Sequence, residues 1–338
     1  MSQDSGRVVI CGGGIIGASI AYHLALRGIA CVVVERLAVA CAASGKSGGF
    51  LALDWCDGSA LGPLARMSYA LHAELPARLG VDYGYRQVDT FGVAASALPG
   101  LIAQDERAES AWLDGECVVY GRLGSTATTA QVQPERFTHA LMNAARERGA
   151  SLVIGRVEGI DIDPRASRVR GVRVDGEVLP AERVVIAMGP WSELARAWLP
   201  LPPVAGLKGF SVRLKPARAV PAEALFVEHV DGAGARSSPE IYPRADGEVY
   251  VCGLSDDLPV PASPDEVEVS DASIERLKAM AGNVSSTLAG AEVVARGACY
   301  RPVCADGLPV MGEVPGVAGA YVATGHSCWG ILNAPASG

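Results

Sequence analysis

Gly12, Gly14 and Gly17 satisfy the pattern GxGxxG, and Glu35 follows 18 residues after the last of them. Each residue type meets a physical need of dinucleotide binding. The first glycine permits a tight turn, the second lets backbone approach a pyrophosphate, and the third lets a helix pack closely on a strand. A helix opening at this turn points its positive end at the phosphates, and Glu35 can accept both ribose hydroxyls. The implied chemistry is redox chemistry on a dinucleotide. FAD and NAD both remain open at this point, because an acidic residue at the strand end argues only against a 2′-phosphate.

The motif works only if its elements are in place. Residues 7–11 are predicted to form a strand, residues 12–17 a turn, and a helix runs to about residue 27 with Ile16, Ile20 and Leu24 at helical spacing. Residues 31–35 are predicted to form a strand, in which Val32, Val33 and Val34 make a continuous apolar run that suits a buried parallel strand. Residues 40–62 are rich in Gly, Ser and Ala and are expected to be a binding loop, followed by a helix to about residue 79. Strands are expected at 85–95 and 126–132, and Pro134 suits the first position of a helix to about 148. Further strands are expected at 152–154, 157–162, 169–174 and 184–187, with Asp175-Gly176 as a turn signal. Beyond a proline-rich linker at 199–203, alternating segments at 210–214, 224–228, 240–242 and 249–252 predict an antiparallel sheet. A helix over 271–288 and strands at 293–303, 308–311 and 320–323 complete the chain.

Composition excludes several classes. The 338 residues are 49% hydrophobic and 20% charged, as in an ordinary globular protein of about two domains. The 40 glycines, about 12% against a usual ~7%, suggest tight turns or a large ligand in close contact with backbone. Lys plus Arg number 29 against 37 acidic residues, a net charge of −8, with no basic stripe, so no nucleic-acid partner is expected. The nine cysteines contain no CxxC pair, so no metal site is expected. They suit a reducing compartment, and a cytoplasmic location without a signal peptide is expected. No apolar run of ~18 residues predicts a membrane span.

The longer pattern GxGxxGxxxAxxLxxxGxxxxxxE is met at Gly12, Gly14, Gly17, Ala21, Leu24, Gly28 and Glu35. Residues 185–191, VIAMGPW, and 324–335, TGHSCWGILNAP, complete a resemblance to the D-amino-acid-oxidase-type family of FAD-dependent oxidoreductases. That family includes glycine and sarcosine oxidases, and the resemblance spans nearly the whole chain. The strings SGKSGGFL at 44–51, DWC at 54–56 and GHSCWG at 325–330 resemble a plant and fungal branch of it. The resemblance implies an α/β fold. A discontinuous Rossmann-like FAD-binding domain (1–80, 126–198 and 299–338) carries an antiparallel-sheet substrate domain (81–125 and 199–298). The carboxyl-terminal helix would be truncated, barely one turn long, at Gly338.

By the same resemblance, the cofactor contacts are Gly12, Gly14, Ile15, Ile16, Gly17, Glu35, Arg36, Ser44, Lys46, Ser47, Gly48, Gly49, Val157, Ala187, Gly189, Trp191, Gly330, Ile331 and Leu332. Residues 330–332 would open a helix whose positive end faces the flavin. Noncovalent FAD is favoured, while alignment with covalent sarcosine oxidases leaves a thioether at Cys299 open against a buried core cysteine. The residues weighed around the reacting carbon are Cys328, Trp329, Arg301 and His326. His326 could contact cofactor or substrate or merely stabilise a turn. Cys328 stands where glycine oxidases carry a carboxylate-binding arginine. Arg301, Arg244 and Lys208 are the candidate replacements, with a solvated surface position the plainer expectation for Arg244. Val251 aligns with the oxygen-activating lysine of sarcosine oxidases. Phe50, Trp55, Tyr300 and Trp329 are expected either to line an apolar pocket or to be core.

The expected function is oxidation of a CH–NH bond in a small amine or amino acid by hydride transfer to flavin. The alternative is an FAD-containing protein with a structural or trafficking role and little catalysis. Substrate identity, electron acceptor and oligomeric state are not determined by the sequence.

Overall fold

The structure, a computed structural model, describes residues 7–102 and 110–338. Its first sheet has six strands in the order Val310–Glu313, Ala320–Thr324, Arg183–Ile186, Val8–Cys11, Cys31–Glu35 and Ser151–Ile154. All pairings are parallel except the outermost, between Val310–Glu313 and Ala320–Thr324. Strands covered on both faces need apolar residues on both, which is why VVIC and CVVVE carry no polar alternation before Glu35. Val8, Ile10 and Val33 pack under the helices Ile15–Leu26 and Pro134–Glu147. Val9, Cys11, Val32 and Val34 join a second cluster with the three-stranded antiparallel sheet of Val157–Asp163, Arg168–Val174 and Glu177–Pro180. Asp175 and Gly176, at φ 48° and 84°, make the two-residue hairpin turn there.

The second large sheet has eight strands and is antiparallel but for one pairing, Glu223–Val230 with Asp89–Ser96. Its consecutive strands Glu292–Val303, Ala205–Lys215, Val249–Asp256, Glu240–Pro243 and Glu223–Val230 present alternate residues to opposite faces. Val212, Leu225, Ile241 and Val251 form a core with Ile274, Leu277 and Met280 of the helix Asp271–Val284. The other face is the roof of the cavity described below.

Several expected elements are redrawn. The strand expected at 85–95 breaks at Val88 into Arg86–Gln87 and Asp89–Ser96, which join different sheets. The loop at 40–62 holds a helical turn, Ala43–Lys46, and a strand, Phe50–Ala52. The helix expected over 271–288 ends at Val284 because Ser285 is extended (φ −149°, ψ 127°), and Ser286–Ala289 is a separate turn. Cys117–Gly124 and Glu177–Pro180 are strands that the sequence reading passed over. Among the described residues no helix is long and apolar enough to cross a membrane.

The helix Gly330–Ser337 has eight residues, about two turns rather than one. Side chains from two other helices hold it. Ser19 Oγ donates to the Ala334 carbonyl at 2.7 Å, Ser68 Oγ accepts from the Ala336 amide at 3.1 Å, and His72 Nε2 donates to the carbonyls of Ile331 and Leu332 at 3.0 and 3.1 Å. His72 is fully buried, and burial pulls its pKa down to about 4. An unfolded histidine takes up a proton near pH 6.5, so the unfolded state gains the proton first as the pH falls. Stability is therefore expected to be flat above pH 6.5 and to decline between pH 6.5 and 4, by on the order of 3 kcal/mol from this residue. Urea unfolding at pH 7.5, 6.0 and 5.0 measures the slope, and His72→Gln should flatten it while lowering stability at neutral pH.

Candidate active site

The central strand Val8–Cys11 ends where the helix Ile15–Leu26 begins, and the backbone between them is tightly confined. Gly12 has φ +112°, and a Cβ there would lie 2.4 Å from the Ala187 carbonyl oxygen at the end of the neighbouring strand. A Cβ at Gly17 would lie 2.0 Å from the Gly12 oxygen, so the third glycine is a packing residue. Glu35, 8% exposed, accepts from the Gly13 amide at 2.6 Å and the Leu37 amide at 3.1 Å, one to each carboxylate oxygen. Ser44 Oγ accepts from the Ile15 amide at 2.8 Å, tying the loop at 44–49 to the helix start.

These groups open onto one cavity of about 780 Å³, within the ~300–1,000 Å³ range of small-molecule and cofactor sites. Every expected cofactor contact lines it except Gly17 and Leu332, and Cys328, Trp329, Arg301 and His326 line it as well. Leu332 is 1% exposed, in the core beneath the carboxyl-terminal helix. Cys299, Phe50, Trp55, Tyr300 and Trp329 line the cavity too, so the aromatic residues weighed between pocket and core belong to its wall.

Of the three cations weighed as carboxylate anchors, only Arg301 lines the cavity, where its Nη2 donates to Ser255 Oγ at 3.0 Å. Arg244 is not a surface residue. It is 5% exposed, its Nη2 donates to the Ser47 carbonyl at 3.0 Å, and its guanidinium lies 5.0 Å from the Tyr250 ring centroid. Its side chain thus supports the 44–49 loop from behind. Lys208 is buried, with Nζ 5.3 Å from the Phe210 ring centroid, and lies outside the cavity wall. Val251 lies on the opposite, helix-packed face of the sheet, because its neighbours Tyr250 and Cys252 are the ones that alternate toward the cavity.

His326 is 3% exposed and hydrogen-bonds Ser337 Oγ through Nε2 at 3.0 Å; burial pulls its pKa down to about 4, so it is neutral at pH 7. Burial pushes the Cys299 thiol up to about 11, despite the opposing charge of Lys46. The Cys328 thiol, on an exposed residue, is raised by partial desolvation at the cavity wall.

Sequence reading missed the roof. Phe226, Glu240, Tyr242, Tyr250, Cys252 and Ser211 project into the cavity from the eight-stranded sheet. Glu240 pairs in register with Phe226 on one side and Cys252 on the other. Tyr242 Oη donates to Glu240 Oε2 at 2.6 Å, Cys252 Sγ lies 3.5 Å from the same oxygen, and Tyr250 Oη donates to the Lys46 carbonyl at 2.9 Å. Burial and the Glu240 charge push Tyr242 and Cys252 well above their ordinary ranges, so both stay protonated. The alternations Glu240-x-Tyr242 and Tyr250-x-Cys252 were the available signal.

The site fits a dinucleotide on its own geometry. Gly12 and Gly14 leave room at a helix start, Glu35 has acceptor capacity beyond its two amides, and the cavity continues from them to the aromatic wall. Comparison with known proteins agrees. The protein C1F5.03c of Schizosaccharomyces pombe is 32% identical over 99% of this chain and 93% of its own length. The glycine oxidase of Pseudomonas putida is 30% identical over 98% of this chain and 92% of its own. The crystal structure of glycine oxidase from Bacillus cereus superposes with a TM-score of 0.83 at 26% identity, covering 99% of this chain and 95% of that one. Residues 7–338 match the family described as DAO, FAD dependent oxidoreductase. The cavity, its glycine-lined entrance and these likenesses converge, and the chain belongs to the DAO family of FAD-dependent oxidoreductases.

Proposed function

We propose that this enzyme binds FAD noncovalently along the cavity and oxidises a CH–NH bond of a small amine or amino acid. The observation that carries the reading is the continuity of one cavity from Gly12, Gly14 and Glu35 to Phe50, Trp55, Phe226 and Trp329, beneath the amino end of the helix Gly330–Ser337. The name of a relative supports the substrate class, since the Pseudomonas putida protein 30% identical to this chain is a glycine oxidase. We assign residues 1–80, 126–198 and 299–338 to FAD binding and 81–125 and 199–298 to the substrate side.

In this reading Glu35 holds the ribose hydroxyls, and the Gly12–Ile16 backbone and Ser44, Ser47, Gly48 and Gly49 surround the pyrophosphate. Arg36, Val157, Ala187, Gly189 and Trp191 complete the cofactor wall. Bound FAD supplies the two-electron acceptor for a hydride from the carbon beside the amine. The chain's own residues orient the substrate, exclude water and stabilise charge. Gly330 and Ile331 place a helix amino end at the cavity, which favours negative charge developing there. Trp329, Trp55 and Phe50 shield the reacting carbon from water. Neutral His326 and protonated Tyr242 are not bases at pH 7, and a neutral amine needs none. Arg301, the one weighed anchor in the cavity wall, would hold a substrate carboxylate.

Three outcomes test this. A purified yellow protein precipitated with acid should release its colour to the supernatant, because a Cys299 thiol held protonated is a poor nucleophile; colour retained in the pellet would show a covalent link. Anaerobic mixing with a panel of amines and amino acids should bleach the flavin with at least one member, and no bleaching by any member favours the structural alternative. Arg301→Leu should raise KM about 10- to 100-fold for an amino-acid substrate with a small change in kcat, as loss of a charge-assisted contact made equally in ground and transition states requires.

A further inference from the structure

The roof of the cavity brings together groups suited to a cation. Phe50, Trp55, Phe226 and Tyr242 form one aromatic cluster. Ring centroids lie 5.0 Å apart for Phe50 with both Trp55 and Phe226, 4.6 Å for Trp55 with Phe226, and 5.5 Å for Phe50 with Tyr242. All four line the cavity, and Phe50, Trp55 and Phe226 keep partial exposure there. The Glu240 carboxylate stands among them, in register with Phe226 across the sheet and hydrogen-bonded by Tyr242.

Both recorded partners of this carboxylate, Tyr242 Oη and Cys252 Sγ, are neutral and share Oε2. Among the described residues no Lys, Arg or His nitrogen forms an ion pair with it; Arg301, on the same wall, is engaged with Ser255. A carboxylate with no ion-pair partner among the described residues, set beside aromatic rings whose faces carry negative charge, favours a positive ligand on two independent grounds. Arg301 and Glu240 together make the substrate side bipolar.

We infer that Glu240 and its aromatic neighbours form a cation subsite, so that the substrate carries a second, non-reacting positive nitrogen beside the CH–NH group to be oxidised. This rests on the amine-oxidation reading, since an amine that gives up a hydride must itself be neutral, and the cation held by Glu240 is then a different centre. The substrate class becomes amines or amino acids bearing an additional ammonium, quaternary ammonium or guanidinium group.

The test is equilibrium binding to the flavin-loaded protein, followed by flavin difference absorbance and tryptophan fluorescence, with probes matched in shape but not in charge. The pairs are choline with 3,3-dimethylbutan-1-ol and methylguanidinium with methylurea. At least one cation should bind about 10-fold or more tightly than its neutral partner. Glu240→Gln, which keeps an acceptor for Tyr242, should abolish most of that preference without weakening the neutral probe, and Phe226→Leu should reduce it. Equal binding within both pairs, no cation binding, or an unchanged preference in Glu240→Gln that retains its flavin spectrum overturns the subsite. Since binding needs no turnover, a panel that fails to bleach the flavin strikes the amine-oxidation reading alone.

Discussion

The close approach of backbone at the carboxyl end of the central strand governs the site. Gly12 lies against the carbonyl of Ala187, and Gly17 lies against Gly12, so strand, helix and neighbouring strand meet with no side chain between them. Any Cβ in that corner would push the helix away from the sheet, and the cavity floor would lose its shape. Glu35 adds the second fixed point, because its two oxygens are pinned by backbone amides rather than by a mobile cation. The carboxylate is therefore held in place with acceptor capacity to spare.

The eight-stranded sheet does two jobs with one alternation. Ile241, Val251 and Leu225 face a helix and form a dry core, while Glu240, Tyr242, Tyr250 and Cys252 face the cavity. The same pleat that stabilises the sheet thus sets the chemistry of the roof. A one-residue slip in register would bury Glu240 among Ile274 and Leu277 and expose the aliphatic row, so the helix-packed face fixes which residues meet a ligand.

The floor was legible in the sequence and the roof was not. GxGxxG with its distant acidic residue is a local signature in which every residue type has a physical reason, and its strand, helix and strand lie where the pattern puts them. The roof comes from strands scattered over positions 211 to 252, and each contributes one or two residues whose neighbours are equally plausible on either face. Arg244 shows the difficulty. An arginine next to Ala245-Asp246-Gly247 in sequence suits a solvated turn, yet tertiary packing places its guanidinium behind Ser47 and against Tyr250. The break at Ser285 and the split at Val88 escaped for the same reason, since partner strands and helices set those boundaries rather than local propensity.

The anchoring of the helix Gly330–Ser337 also orders events in time. Its hydrogen-bond partners Ser19, Ser68 and His72 lie 259 to 315 residues earlier in the chain, so these contacts close some of the longest loops the sequence allows. During synthesis the glycine turn, the parallel strands and the roof emerge well before the segment that caps them. The nascent protein thus holds an open, aromatic-lined trough whose last wall arrives only after the roof has emerged, and its exposed rings are the surface a chaperone would have most reason to cover.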